Sequence, residues 1–269
     1  MQNEPAFQDE LDPQTRSFYC HVLTTLQAAQ QQFLVGGAYA FGYYTGIVRH
    51  TKDFDIFVRE QDLERVLEVL ADAGYQTQLT FPHWLGKAFH GDDFIDVIFA
   101  SSNGVSRVDD DWFAHAVEAE VLGMPAMLCA PEEILWTKAF ILERERCDSA
   151  DVAHLLRAQG QKLDWQRMLR HFDAHWRVLL SHLVLFGFIY PTEHTQIPDW
   201  VMAELIGRLQ RELASPPAAE QLCRGTLLSR AQYLIDIDRW GYHDARLQPI
   251  GGMTAADIAH WTAAIEETE

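Results

Sequence analysis

Two aspartates, two residues apart, open the apolar stretch Asp53-Phe54-Asp55-Ile56-Phe57, and a third, Asp96, sits inside Phe94-Ile95-Asp96-Val97-Ile98-Phe99. Alternate side chains of an extended strand share a face, so Asp53 and Asp55 should point the same way, about 6–7 Å apart. Two like charges on one face repel, and a divalent cation is the economical remedy. A lone carboxylate among Phe, Ile and Val is costly without a partner. Paired beside the first strand, Asp96 would complete a three-carboxylate cage for two magnesium ions. Each feature also has a plainer reading: two solvated acids at a strand edge, and a buried acid paired with an arginine.

Upstream, Phe33-Leu34-Val35 runs into Gly36-Gly37, and a helical pattern begins at Ala38. Glycines at such a turn let backbone N–H groups approach a phosphate, and the helix start adds positive potential. A tight strand-to-helix turn would need the same residues for structural reasons alone.

The elements that must position these groups follow from the pattern. Leu11 to Gln32 reads as a helix, capped by Asp12 with Pro13 in its first turn. Phe54 to Val58 is a strand, Gln61 to Ala73 a helix, and Tyr75 to Phe81, Lys87 to His90 and Phe94 to Phe99 are strands. Leu122 to Leu128 reads as a last strand. From Pro131 the pattern turns helical, opening on Pro131-Glu132-Glu133, where the helix dipole favours acids. Further helices are expected over Ser149 to Ala158, Trp165 to His171, Arg177 to Ile189, Asp199 to Leu213, Arg230 to Trp240 and Ala255 to Glu266. The expected fold class is α+β, a mixed sheet with flanking helices followed by a helical C-terminal domain. The division falls at 1–130 and 131–269, the second part completing the active-site cleft.

The combination Leu34-Val35-Gly36-Gly37, Asp53-Phe54-Asp55 and Asp96 resembles the nucleotidyltransferase superfamily with the polymerase-beta-like core. With its Arg49-His50-Thr51 and a later Pro-Glu-Glu helix containing Lys138, the chain looks most like the bacterial minimal and abortive-infection-type nucleotidyltransferases. The resemblance spans about residues 33 to 160. It implies transfer of a nucleoside monophosphate from an NTP to a hydroxyl, with release of pyrophosphate and two Mg2+ ions (or Mn2+) held by Asp53, Asp55 and Asp96. Gly36 and Gly37, with Arg49, Lys52 and Lys138, would bind the nucleotide, Lys138 at the leaving group. Many relatives carry a serine after the first glycine; here Gly37 and Ala38 follow, so backbone amides must serve the phosphate without a hydroxyl. The acceptor stays open among a small molecule, a protein side chain and an RNA 3′ end.

The bulk numbers narrow the field. The 269 residues carry a net charge of −18, which argues against coating duplex DNA and mildly favours a small-molecule or protein acceptor over RNA. The four cysteines are scattered without metal-site spacing. An acidic N-terminus and the short, polar-interrupted run Val178 to Ile189 lead to the expectation of a cytoplasmic protein with no membrane partner. Other patterns weigh less. Asp236 and Asp238 fall on a helix and diverge. His171 and His175 read as a surface pair, Asp109-Asp110-Asp111 as a loop and helix cap, and the C-terminal aromatics (Trp200, Tyr233, Trp240, Tyr242, Trp261) as core. A glycosyltransferase using D-x-D needs neither the Gly-Gly turn nor a third acid, and a HAD-type phosphatase would show Thr or Val two places after the second Asp. A non-catalytic nucleotide-binding or toxin–antitoxin protein on the same fold is the remaining alternative.

Overall fold

The computed structural model describes residues 11–49, 51 and 53–264. The chain divides into two compact units, Met1–Ala130 together with Gly251–Glu269, and Pro131–Ile250. In the first, helix α1 (Pro13–Ala28) starts where the Asp12 side chain accepts the Gln14 amide at 2.8 Å, with proline in the first turn. Strand β1 (Leu34–Val35) leads into helix α2 (Gly37–Thr45), which stops at Gly46 in the left-handed region. Then come β2 (Asp53–Phe57), α3 (Leu63–Asp72), β3 (Gln76–Phe81), β4 (Leu85–His90), β5 (Asp93–Ile98), α4 (Asp110–Ala114), β6 (Val117–Val121) and β7 (Met124–Leu128).

These strands form one seven-stranded mixed sheet in the order β3-β4-β5-β2-β1-β7-β6. The pairs β2/β5 and β1/β7 are parallel, and the others antiparallel. Phe54, Ile56, Ile95 and Val97 are fully buried on one face, so each removes roughly 1.5–3 kcal/mol worth of apolar side chain from water. Period-two alternation then sends Asp53, Asp55 and Asp96 to the other face. The β6 strand was not expected from the sequence; it forms a hairpin with β7 about Leu122 and Gly123, both at positive φ.

The second unit holds α5 (Pro131–Ala139), α6 (Ser149–Gln159), α7 (Trp165–Phe172), α8 (Trp176–Ile189), α9 (Asp199–Leu213), β8 (Leu222–Cys223), α10 (Leu234–Asp238) and β9 (His243–Asp244). Leu135, Leu155, Leu156, Met168, Phe172, Leu179 and Phe186 fill its core. Glu132 and Glu133 do more than answer the α5 dipole. Both are buried, Glu133 paired with Arg167 of α7 and Glu132 accepting the Asp164 amide at 2.7 Å. By length and composition the run Trp165–Ile189 could cross a bilayer, but Asp173, at φ 27°, breaks it into α7 and α8. The longer piece, α8, has 14 residues, about 21 Å against roughly 30 Å of hydrocarbon.

Several expectations are corrected. The segment from Gly251 packs on the first unit instead of the helical half: α11 (Ala255–Ala263) lies against β3, with Trp261 6% exposed and edge-on to His83. The helix expected over Arg230 to Trp240 shrinks to α10, because Ser229 Oγ accepts the Gln232 amide and holds a turn first. Trp240 is 61% exposed, and Trp200 and Tyr242 are exposed as well, so those aromatics are not core. The α7 break puts His175 off the helix of His171, and neither is a surface residue: His171 stacks on Trp136, and His175 meets Phe140 edge-on.

Candidate active site

The parallel register of β2 and β5 sets Asp55 directly beside Asp96, and Asp53 beside Phe94. Adjacent strands lie about 4.8 Å apart, so carboxylates on one face must meet. Asp53, Asp55 and Asp96 each place an oxygen within 4.8 Å of the others. Asp96 is buried, whereas Asp53 and Asp55 are half-buried. The Thr51 hydroxyl donates to Asp53 Oδ1, fixing one carboxylate at the strand entrance.

The Gly36-Gly37 turn stands against this cluster. The Gly36 amide donates to the Asp55 carbonyl at 3.0 Å, tying the end of β1 to β2. A Cβ on Gly36 would run into the Phe57 ring. Gly37 has φ +51°, and a Cβ there would lie 1.7 Å from Asp55 Oδ2. Both glycines are therefore required by the approach of β2, Gly37 most strictly, since only glycine adopts this backbone at little cost. Gly37 also begins α2, whose first amides have no partner within the helix. No acid occupies that first turn.

Among the described residues, a cation that the sequence did not single out pairs with the cluster. Lys87, opposite Asp96 across β4 and β5, donates from Nζ to Asp96 Oδ1 at 2.7 Å, and its ammonium lies 3.9 Å from the Phe94 ring centroid. Burial pushes the Asp96 carboxyl above the usual range; Lys87 opposes that shift, and Asp53 adds to it. Tyr19 is fully buried near the cluster, and its phenol is raised by burial and then by Asp93, Asp53, Asp55 and Asp96. Asp93 is a fourth acid in that neighbourhood, held by the Thr15 hydroxyl at 2.9 and 3.1 Å. Burial, and then Asp55, push up the Cys129 thiol, so it is an inert core residue.

The other candidates fall elsewhere. Arg49 is exposed, its guanidinium 5.0 Å from the Phe41 ring centroid. Lys52 lies outside the described residues. Lys138, in the second unit, is clasped by Asp148 at 2.8 Å and Asp151 at 2.7 Å, with Arg146 also on Asp148. Asp236 and Asp238 lie on α10.

A mixed sheet thus brings three carboxylates together beside a glycine turn and a helix start. The family model described as "Uncharacterised nucleotidyltransferase" matches residues 24–185, and the chain belongs to that family. A search of curated proteins finds no match. Among solved structures, the antibiotic-resistance factor ANT(2'')-Ia is similar over 64% of this chain and 98% of its own, at 14% identity and TM-score 0.47. The lincosamide antibiotic adenylyltransferase LnuA, with lincomycin bound, matches 54% of this chain and 96% of its own at 17% identity and TM-score 0.38. An antigenic nucleotidyltransferase-like protein from Paracoccidioides brasiliensis matches 62% and 91% at 14% identity and TM-score 0.37.

Proposed function

We propose that the chain moves a nucleoside monophosphate from a nucleoside triphosphate to a hydroxyl acceptor, with pyrophosphate leaving. The reading is carried by one observation: Asp53, Asp55 and Asp96 converge within 4.8 Å of one another, with Asp55 pressed against the glycine at the start of α2. Oxygen-only donors suit a hard dication such as Mg2+, with Mn2+ as a substitute. Three clustered carboxylates repel one another, and a dication relieves that more fully than the single charge of Lys87. Asp53 and Asp55 would be the principal ligands and Asp96 the third. When bound, two such ions would stabilise the attacking and leaving oxygens of an in-line displacement.

The chain's own groups supply the rest. The Gly36 amide is committed to the Asp55 carbonyl, so the Gly37 amide and those at the start of α2 receive phosphate oxygens, and Ala38 leaves that task to the backbone. Asp96, its Oδ1 held by Lys87, accepts the hydroxyl proton at Oδ2. Arg49 and Lys52, just before the acid pair in sequence, are the proposed triphosphate cations; Lys138 is proposed for the leaving pyrophosphate. The net charge of −18 favours a small molecule or protein as acceptor over RNA.

The test is binding of each labelled NTP, with and without Mg2+, to wild type and to Asp55→Asn. At least one NTP should bind only with metal, and the variant should lose it. Equal binding by both proteins would remove the basis of the transferase reading.

A further inference from the structure

Lys87 stands out because everything around it explains its presence except sheet formation. Its neighbours in β4 are Leu85, Gly86 and Ala88, all buried, and a lysine in such a strand gives up water around its ammonium. Its side chain is 19% exposed and that of Asp96 13%, so the ion pair is largely withdrawn from solvent. The ammonium is fixed from two sides, by Asp96 Oδ1 at 2.7 Å and by the Phe94 ring at 3.9 Å. Phe94 is itself the β5 partner of Asp53, so the lysine touches the two β5 residues paired with Asp53 and Asp55.

We propose that Lys87 is a positioning residue, the resident counter-cation of Asp96, which holds Oδ1 and leaves Oδ2 to the reaction. The inference rests on the metal-dependent reading of the three carboxylates. Its consequence is electrostatic. The charge of Asp96 is answered by Lys87, so a dication entering without nucleotide meets a weaker field than it would without the lysine. A unit charge a few ångströms from a dication is worth roughly an order of magnitude in affinity, even in water-like surroundings. Lys87 thus disfavours metal on the empty site and makes loading depend on the phosphates that arrive with the nucleotide.

The experiment is Mn2+ binding to the full chain without nucleotide, followed by the electron paramagnetic resonance signal of free Mn2+. The proteins are wild type, Lys87→Met, Lys87→Arg and Asp55→Asn. Lys87→Met should bind Mn2+ about tenfold more tightly or better, Lys87→Arg should match wild type, and Asp55→Asn should bind much more weakly. The rise in Tm on adding saturating Mn2+ should also be larger in Lys87→Met, because its Asp96 lacks the native partner until metal arrives. Where Lys87→Met does not fold, Lys87→Gln keeps a donor without the charge and carries the same expectations. Unchanged or weaker Mn2+ binding in the neutral variants, with Asp55→Asn still impaired, overturns the counter-cation role and leaves the metal reading intact. Mn2+ binding that ignores Asp55 overturns both.

Discussion

A methyl group added at Gly37 meets two obstacles at once. The backbone there has φ +51°, and the new Cβ would sit 1.7 Å from Asp55 Oδ2. The substitution must therefore strain the turn and push the Asp55 carboxylate aside. Gly37→Ala should keep its far-ultraviolet circular dichroism and lose about a hundredfold or more in turnover, since a displacement near 1 Å at the reacting centre has that effect. Metal-dependent NTP binding should fall with it; full turnover in a folded Gly37→Ala would show that Asp55 need not sit where it does. The three aspartates were legible in the sequence because a carboxylate inside an apolar strand is conspicuous by its cost. Lys87 was not, because its meaning depends on which strand lies beside β5 and in what register. Thr15 and Asp93 meet across 78 residues of chain, and no local pattern announces such a contact.

At the scale of elements, α5 and α6 are joined by a clasp of Lys138 on Asp148 and Asp151. All three side chains are nearly withdrawn from water, and removing one partner of such a group leaves charge unanswered. Lys138→Met should lower the unfolding free energy by about 3 kcal/mol, read from urea midpoints. Measured on the same variant, NTP affinity separates two roles. A loss confined to stability marks a structural lysine, whereas a drop in affinity with little change in midpoint assigns it to phosphate. Most strands and helices were readable from period-two and helical spacing, since burial on one face imposes both. The missed strand β6, Val117-Glu118-Ala119-Glu120-Val121, alternates correctly but draws on Ala and Glu, which are poor strand formers. Its existence depends on the tight turn at Leu122-Gly123 and on β7, so the hairpin holds what propensity would not.

For the whole molecule, the division at residue 130 coincides with the change from mixed to helical patterning, but the return of the C-terminal segment to the sheet could not be read. An amphipathic helix shows that it has a partner, not which one. Stability against acid is where the molecule's separate charges combine. Burial pushes the His182 pKa below its ordinary 6.5, and its Nε2–H donates to the Ala139 carbonyl at 2.9 Å. His175 is depressed as well, by burial and then by Arg224. In the unfolded chain both histidines take up a proton near pH 6.5. Below that pH the unfolded state binds more protons, so their contribution is complete above it and is lost as pH falls towards the folded pKa values. Asp148 and Asp244 act in a lower window. Burial works against their ionisation, but Arg146 and Lys138 on the first, and Arg246 on the second, still hold both below the usual carboxylate range. Their contribution persists above about pH 4 and is lost beneath it. Relief of self-repulsion runs the opposite way, because protonation reduces the net charge of −18. Comparing two proteins that share this background cancels it. Urea midpoints of wild type and His182→Gln, taken near pH 7.5 and near pH 5.5, should differ in their pH response by up to about 1 kcal/mol, within the limit of 1.36 kcal/mol per unit for one proton. Wild type should lose the more. Equal losses in the two proteins would mean that His182 takes up its proton inside the fold, and that burial around α8 does not hold it neutral.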